Sequence, residues 1–180
     1  MSEFPRIFHS VEFDGPFQRC LNCESKFDEL AVPHIISKAF RGPECVFEYA
    51  LCQNCHGEMV ESFSEESRFN LETFFHANVD LDARSEKLAE NEHHTDWLKE
   101  CLTCQTPVQD LKDYSIAALA FGDQMVFDPF PRMMCGGCEF KMQEQISVST
   151  RDQWDRFVRN HFEGPPAEAL PPDRRSPRLA

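Results

Sequence analysis

Four Cys-x-x-Cys pairs constrain the fold of this 180-residue chain more than any other feature, and they take up eight of its nine cysteines. A two-residue spacer lets one turn present both sulfurs to a single ion, and zinc accepts four thiolates at about 2.3 Å. The pairs therefore predict two zinc ions per chain. The first ion is assigned to Cys20, Cys23, Cys52 and Cys55, and the second to Cys101, Cys104, Cys135 and Cys138.

Other uses of paired cysteines stay open at this point. Iron centres also take four thiolates, so the spacing alone does not separate iron from zinc. In thioredoxin-like proteins the dithiol motif occurs once per domain, within an alternating α/β pattern. Here the pairs recur, so this redox function fits the sequence less well than metal binding. A zinc-thiolate redox sensor, in which oxidation of a quartet ejects the metal, is a further alternative. The ninth cysteine, Cys45, is predicted to pack as a small apolar residue.

The two halves of the sequence are similar to each other when the chain is aligned with itself at a fixed shift. A shift of 81 residues places Cys20 and Cys23 on Cys101 and Cys104, and a shift of 83 superimposes the other two pairs. An apolar i, i+3, i+4, i+8 spacing is reproduced as well, by Leu71, Phe74, Phe75 and Val79 in the first half and by Trp154, Phe157, Val158 and Phe162 in the second. The pattern predicts an α+β fold of two duplicated modules.

Each module is expected to be treble-clef-like, with a zinc knuckle, a β-hairpin and helices, and the two are expected to pack as a pseudo-symmetric pair. Ser62-x-x-Glu65 and Ser149-x-x-Asp152 have the form of capping boxes and predict where the last helix of each module begins. The predicted boundaries are an N-terminal extension forming a strand at 1–16, zinc modules at 17–79 and 98–162, an acidic helical connector at 80–97, and a disordered Pro/Arg tail at 163–180.

Part of the first module resembles a known family. The run of Cys20-x-x-Cys23, Val32-Pro-His34 and Leu51-Cys52-Gln-Asn-Cys55-His56 looks like the treble-clef core of HNH nucleases. That resemblance implies His34 as the general base that activates water and His56 as a group that helps to hold a catalytic divalent ion. A metal-dependent nuclease, active or inactive, is therefore one alternative function. In the second module the equivalent positions hold Ser115 and Glu139.

Charge and hydropathy limit the classes of partner that the chain can bind. The formal charge is −13, and two sites of four thiolates and one zinc would each add −2, which disfavours nucleic acid and favours a basic protein partner. No stretch approaches the roughly 20 apolar residues of a membrane span, and the start of the chain lacks a secretory pattern. We therefore expect a cytoplasmic zinc-binding protein that serves as a protein-binding or adaptor module, with an enzymatic role less favoured.

Overall fold

The computed structural model describes residues 4–88, 93–127 and 129–162, and the predicted disordered tail at 163–180 lies outside them. The described strands are β1 (His34–Arg41), β2 (Glu44–Cys52), β3 (Asp113–Phe121), β4 (Gln124–Val126) and β5 (Arg132–Cys135). The described helices are α1 (Gln53–Glu61), α2 (Glu65–Asn78), α3 (Leu81–Leu88), α4 (His94–Trp97), α5 (Gly136–Gln143) and α6 (Val148–His161). The coarse prediction of an α+β fold is confirmed.

The described strands form one antiparallel sheet in the order β2-β1-β3-β4, and β5 also pairs with β3. At its centre Ser37 of β1 lies opposite Tyr49 of β2 on one side and Ala117 of β3 on the other. Gly42 and Gly122 adopt positive φ angles of 56° and 59° in the tight turns after β1 and β3. Glycine suits this left-handed conformation because it has no Cβ to clash.

The second hairpin differs from the continuous extended run that the sequence suggests before Cys135. Its return strand is split into β4 and β5, and Pro129 and Pro131 lie between them. Proline has no backbone N–H to give to the ladder, so this stretch leaves the sheet before β5 pairs with β3 again. The first hairpin has no proline within β2 and stays paired along its length.

The N-terminal extension is not the strand that the sequence suggested. Its described part contains a short 3-10 turn at Arg6–Phe8 and an isolated bridge between Ser10 and Gly15. Side-chain contacts, rather than a β ladder, fasten it to the sheet. The Lys38 ammonium donates to the His9 carbonyl oxygen, and Phe8 is fully buried.

A buried ion pair joins the same segment to the sheet. The Lys38 ammonium lies 3.0 Å from the Glu48 carboxylate, which also accepts hydrogen bonds from the Ser10 hydroxyl and the Val11 amide at 2.8 Å. Burial alone raises the pKa of Glu48, but the hydrogen bonds from Lys38 and Ser10 outweigh it and hold the pKa below its ordinary value. The charged carboxylate is therefore the form that stabilises this fold.

Replacing the carboxylate gives a pH-dependent result. We expect Glu48→Gln to lower the free energy of unfolding by about 1.5–3 kcal/mol at neutral pH, the range for hydrogen bonds to charged groups. Because the folded-state pKa is depressed, the wild-type advantage is fully present above the unfolded pKa near 4.3 and is lost as the pH falls through the folded value. Urea unfolding of both proteins across pH measures this difference.

The exposed neighbour Glu44 provides the control, since Glu44→Gln removes the same charge from the start of the same strand. Any metal that is released in acid is released by the wild type and by both variants alike. Its effect on the free energy of unfolding therefore cancels when the three proteins are compared. A wild-type advantage over Glu48→Gln that does not shrink at low pH contradicts the assignment.

The helices α2 and α6 begin two residues away from the predicted capping boxes. Their N-caps are Ser64 and Ser147, whose hydroxyls accept hydrogen bonds from backbone amides three residues later at 3.1 and 3.3 Å. Ser62 instead closes α1 by donating to the Met59 carbonyl oxygen, and Ser149 lies inside α6. Each predicted helix is present, and only its first residue was wrong.

The two helix starts also cap each other. Thr150 of α6 accepts a hydrogen bond from the Ser64 amide at 3.0 Å, and Ser67 of α2 accepts one from the Ser147 amide at 2.8 Å. The Ser64 and Ser147 hydroxyls lie 2.9 Å apart, and Ser67 and Thr150 are fully buried. Since unpaired N–H groups at helix starts need acceptors, this reciprocal network joins the two halves of the chain at one point.

In its described parts the acidic connector contains helices α3 and α4, and it packs onto the second half. Trp97 is 2 % exposed, and the Arg84 guanidinium lies 4.5 Å from the centre of its ring. Arg84 donates to the carbonyl oxygens of Trp97, Pro129 and Pro131 at 2.9 to 3.3 Å. The connector therefore holds the stretch that separates β4 from β5. Across the described residues, no helix has both the length and the apolar character needed to cross a bilayer.

Candidate metal centres

The first cysteine pair lies in a tight turn. The Cys20 amide donates to the Ser25 carbonyl oxygen at 3.0 Å, and the Glu24 amide donates to the Cys20 carbonyl oxygen at 2.9 Å. Glu24 has a φ of 58°, which is the left-handed conformation that closes the turn. This backbone brings Cys20 and Cys23 to the same side of the turn.

The third cysteine pair lies in a turn of the same form. The Cys101 amide donates to the Thr106 carbonyl oxygen at 2.9 Å, the Gln105 amide donates to the Cys101 carbonyl oxygen at 2.9 Å, and Gln105 has a φ of 58°. Each turn is also held against a strand of its own half. The residue after the first cysteine of the turn donates a backbone hydrogen bond to that strand. Leu21 donates to Ala50 at 2.9 Å, and Leu102 donates to Met133 at 2.7 Å.

The second and fourth pairs lie where a strand passes into a helix. Cys52 is the N-cap of α1 and Cys135 is the N-cap of α5, as the sequence suggested. Helix starts carry unpaired N–H groups and the positive end of the helix dipole, which stabilise thiolates. The amides of Cys52 and Cys135 also donate to the sulfurs of Cys20 and Cys101, in each case at 3.3 Å.

The eight paired cysteines come together in two quartets. In each quartet the four sulfurs all lie within 4.8 Å of one another, with members Cys20, Cys23, Cys52 and Cys55 in the first and Cys101, Cys104, Cys135 and Cys138 in the second. Sulfurs bound at 2.3 Å around a tetrahedral ion are about 3.8 Å apart. The Cys23–Cys52 and Cys104–Cys135 sulfur distances are 3.9 and 3.7 Å. The two groups can therefore hold two metal ions.

The protonation of the sulfurs follows their surroundings. Hydrogen bonds from the side chain and amide of Ser25 lower the pKa of Cys23 to about 6. Burial raises the pKa of Cys104, but the hydroxyl and amide of Thr106 outweigh it and bring it to about 6. Burial raises the pKa of the other affected ligands, which are Cys20, Cys55, Cys101 and Cys138. A bound dication favours the thiolate form of all of them.

Ser25 and Thr106 were missed as site residues by the sequence reasoning. Both stand two positions after the second cysteine of a turn, and the shift of 81 residues places one on the other. A hydroxyl residue at the same offset in both halves was the signal that could have found them. Their hydroxyls and amides face the exposed sulfur of each quartet.

The two histidines of the nuclease resemblance lie in apolar surroundings. His34 is 3 % exposed and stacks on Phe27 with ring centres 4.0 Å apart, and its burial lowers its pKa to about 4. Burial also lowers the pKa of His56, which lines an apolar cavity beside α1. Among the described residues, the groups able to hold a metal contain cysteines and no histidine. The nuclease interpretation stays a prediction.

The ninth cysteine stands apart from both quartets. Cys45 is half-buried on β2, and its sulfur lies 3.6 Å from the Phe47 carbonyl oxygen and 3.7 Å from the Glu48 carboxylate. Its surroundings are therefore more polar than the apolar packing that the sequence suggested. All nine cysteines are free thiols in the described structure.

One comparison with known proteins gives a match. The family model described as cytochrome c554 and c-prime matches residues 51–123, which is less than half of the chain. No curated protein and no solved structure matches. The matched range begins at Leu51 and includes Cys52-Gln-Asn-Cys55-His56, which has the C-x-x-C-H form of c-type haem attachment.

The residues around this motif do not fit a haem. Attachment needs the thiols of Cys52 and Cys55 as thioethers, yet both sulfurs lie within 4.8 Å of two further cysteine sulfurs. The apolar cavity that His56 lines has a volume of about 250 Å³, which is too small to enclose a macrocycle the size of a haem. The second quartet has the same arrangement with Glu139 in place of the histidine. The donor set fits two tetrahedral metal ions instead.

Proposed function

We propose that the protein is a small zinc-binding module in which two four-cysteine sites stabilise the fold. The observation that carries this proposal is the approach of the sulfurs, since the Cys23–Cys52 and Cys104–Cys135 sulfur distances of 3.9 and 3.7 Å match the edge of a zinc–thiolate tetrahedron. Four protein ligands leave no open coordination position, and closed sites of this kind are structural.

Metal analysis tests the proposal directly. We expect two zinc ions per chain in the native purified protein, with eight additional reactive thiols after denaturation in a chelator. Iron at the same stoichiometry contradicts zinc while retaining the metal sites. A covalently attached haem, visible by its absorption, contradicts the four-thiolate assignment of the first quartet.

The duplicated treble-clef architecture belongs to the same proposal. Each half presents a cysteine turn, a pair of strands, a helix capped by a cysteine and a last helix capped by a serine. The two serine caps, Ser64 and Ser147, are separated by the same 83 residues that separate the second cysteine pairs. The antiparallel pairing of β1 with β3 is the arrangement expected for two copies related by a two-fold axis.

A protein-binding or adaptor role is supported by the helical surface. Phe69 on α2 and Phe140 on α5 are each more than half exposed, and aromatic side chains are enriched at protein interfaces. The acidic charge favours a basic partner in a reducing compartment such as the cytoplasm, where free thiols persist. A partner that binds the wild type but not the Phe140→Ser variant, when both proteins carry their full zinc content, supports this role. Equal binding to both proteins contradicts it.

The exposure of one sulfur per quartet favours redox sensing as a second candidate function. Cys23 and Cys104 are exposed while the other six ligands are buried. Peroxide would oxidise such a thiolate to a sulfenate and be reduced to water. A neighbouring thiol would then attack the sulfenate sulfur, break its S–O bond and form a disulfide with loss of hydroxide. Zinc release that increases gradually with low peroxide concentrations, and that is the same in the Cys45→Ser variant, supports the sensor function. Zinc retained until the protein unfolds supports a purely structural role.

A further inference from the structure

A cavity of about 250 Å³ lies between the helix-covered face of the sheet and helices α1 and α2. Apolar side chains of both helices line it, among them Met59 of α1 and Phe75 of α2, and Ala117 of β3 lies in the opposite wall. An apolar cavity of about 150 Å³ is already large enough to bind benzene. The space is therefore sufficient for one small organic molecule.

The corresponding helix of the other half carries a larger side chain at the position of Leu71. Leu71 lies seven residues after the N-cap of α2, and Trp154 lies seven residues after the N-cap of α6. The Trp154 indole is 2 % exposed and packs 6.1 Å from the Tyr49 ring and 5.3 Å from the Phe157 ring. Leu71, which lines the cavity, is smaller than an indole. The position that holds a leucine beside this cavity in α2 thus holds an indole in α6.

The chemistry of the walls indicates what the cavity accepts. Four methionines line it, and their thioethers make favourable contacts with aromatic rings: Met59, Met133, Met134 and Met142. The Ser115 hydroxyl, also in the wall, donates to the Glu139 carboxylate, so its oxygen is left to accept a hydrogen bond from a ligand.

Charge in the walls is balanced. The Arg132 guanidinium lines the cavity and lies 4.5 Å from the centre of the Phe130 ring, and the Glu139 carboxylate lies behind Ser115. One positive and one negative group beside the same apolar space favour an uncharged ligand over an anion or a cation.

We propose that this cavity binds an uncharged planar aromatic molecule of one or two fused rings that carries a single N–H or O–H donor, the chemistry of indole. The ring packs beside Leu71 and the methionines, and its donor reaches the Ser115 oxygen. The four methionines allow the walls to adapt to the ring because thioether side chains are flexible. This site is separate from both cysteine quartets and does not depend on which metal they hold.

Calorimetric titration of the full-length, metal-loaded protein with indole tests the proposal. We expect saturable binding of one indole per chain. Leu71→Trp copies the arrangement of α6, fills the cavity and is expected to weaken binding at least about tenfold, a loss of about 1.4 kcal/mol. Phe69→Trp is the matched control, because it adds the same side chain at an exposed position of α2 and leaves the cavity open.

A second filling variant keeps the test decisive if Leu71→Trp does not fold. Ala117→Leu fills the cavity from β3 and is expected to weaken indole binding in the same way. Metal content and circular dichroism of each variant show that the fold is retained. Absence of saturable binding to the wild type, or undiminished binding to both filled variants, overturns the proposal. Binding of decanoate in preference to indole overturns the aromatic assignment as well.

Discussion

Cys20→Ser is expected to release one of the two metal ions and to lower the stability of the whole fold. Structural zinc sites contribute apparent free energies on the order of 10 kcal/mol, which is comparable to the total stability of a domain. The Cys20 sulfur accepts the Cys52 amide at 3.3 Å, so the change also removes a contact between the cysteine turn and the start of α1. Elemental analysis and urea unfolding of the purified variant measure both effects.

The effect is expected to reach the second half, since the two halves share one sheet. β1 pairs with β3 along its whole length, from His34 opposite Ala120 to Arg41 opposite Asp113. A first half that unfolds therefore exposes the edge of β3. We expect Cys135→Ser to give the reciprocal loss of the second ion and a similar fall in the urea midpoint.

Cys45→Ser is the matched control for both variants. It changes the same atom at a half-buried position outside the quartets and is expected to keep two ions and a near wild-type midpoint. A Cys20→Ser protein that retains two metal ions and the wild-type midpoint contradicts structural zinc at the first quartet.

The spacing of the cysteines was sufficient to predict both quartets and the two helices that begin at them. The prediction succeeded because the geometry of metal ligands is set locally in the sequence. The two-residue spacer between cysteines, and the helix that begins at the second pair, determine where the sulfurs lie. The elements that were predicted poorly are those that depend on distant contacts. The N-terminal segment was expected to be a strand, yet it is held by Lys38 and Glu48, which the sequence does not place beside it.

The connector and the interior cavity show the same limit. Arg84 is one of several charged residues in an acidic stretch, and its three carbonyl acceptors lie 13 to 47 residues away in the chain. Leu71 and Trp154 both belong to apolar stripes that predict packing correctly. The cavity beside Leu71 emerges only when both helices are docked on the sheet, because periodicity reports which face is buried and not how well it is filled.

Trp154 is therefore expected to be the side chain whose removal costs the most outside the metal sites. It is 2 % exposed, contacts Tyr49 across the interface between α6 and the sheet, and packs on Phe157 of its own helix. Trp154→Ala is expected to lower the free energy of unfolding by about 3–5 kcal/mol, the range for large aromatic truncations in cores. Urea unfolding in the presence of saturating metal measures this loss.

Two comparisons separate packing from general perturbation of the helices. Phe69→Ala truncates an aromatic side chain that is 67 % exposed on α2, and we expect it to stay within about 0.5 kcal/mol of the wild type. Leu71→Ala truncates the residue equivalent to Trp154, but it enlarges a cavity that already exists and removes fewer buried contacts, so its cost is expected to be smaller than that of Trp154→Ala. Metal content should remain at two ions in all three variants, because none of these side chains belongs to a quartet. Equal destabilisation by Trp154→Ala and Leu71→Ala would contradict the larger packing contribution assigned to Trp154.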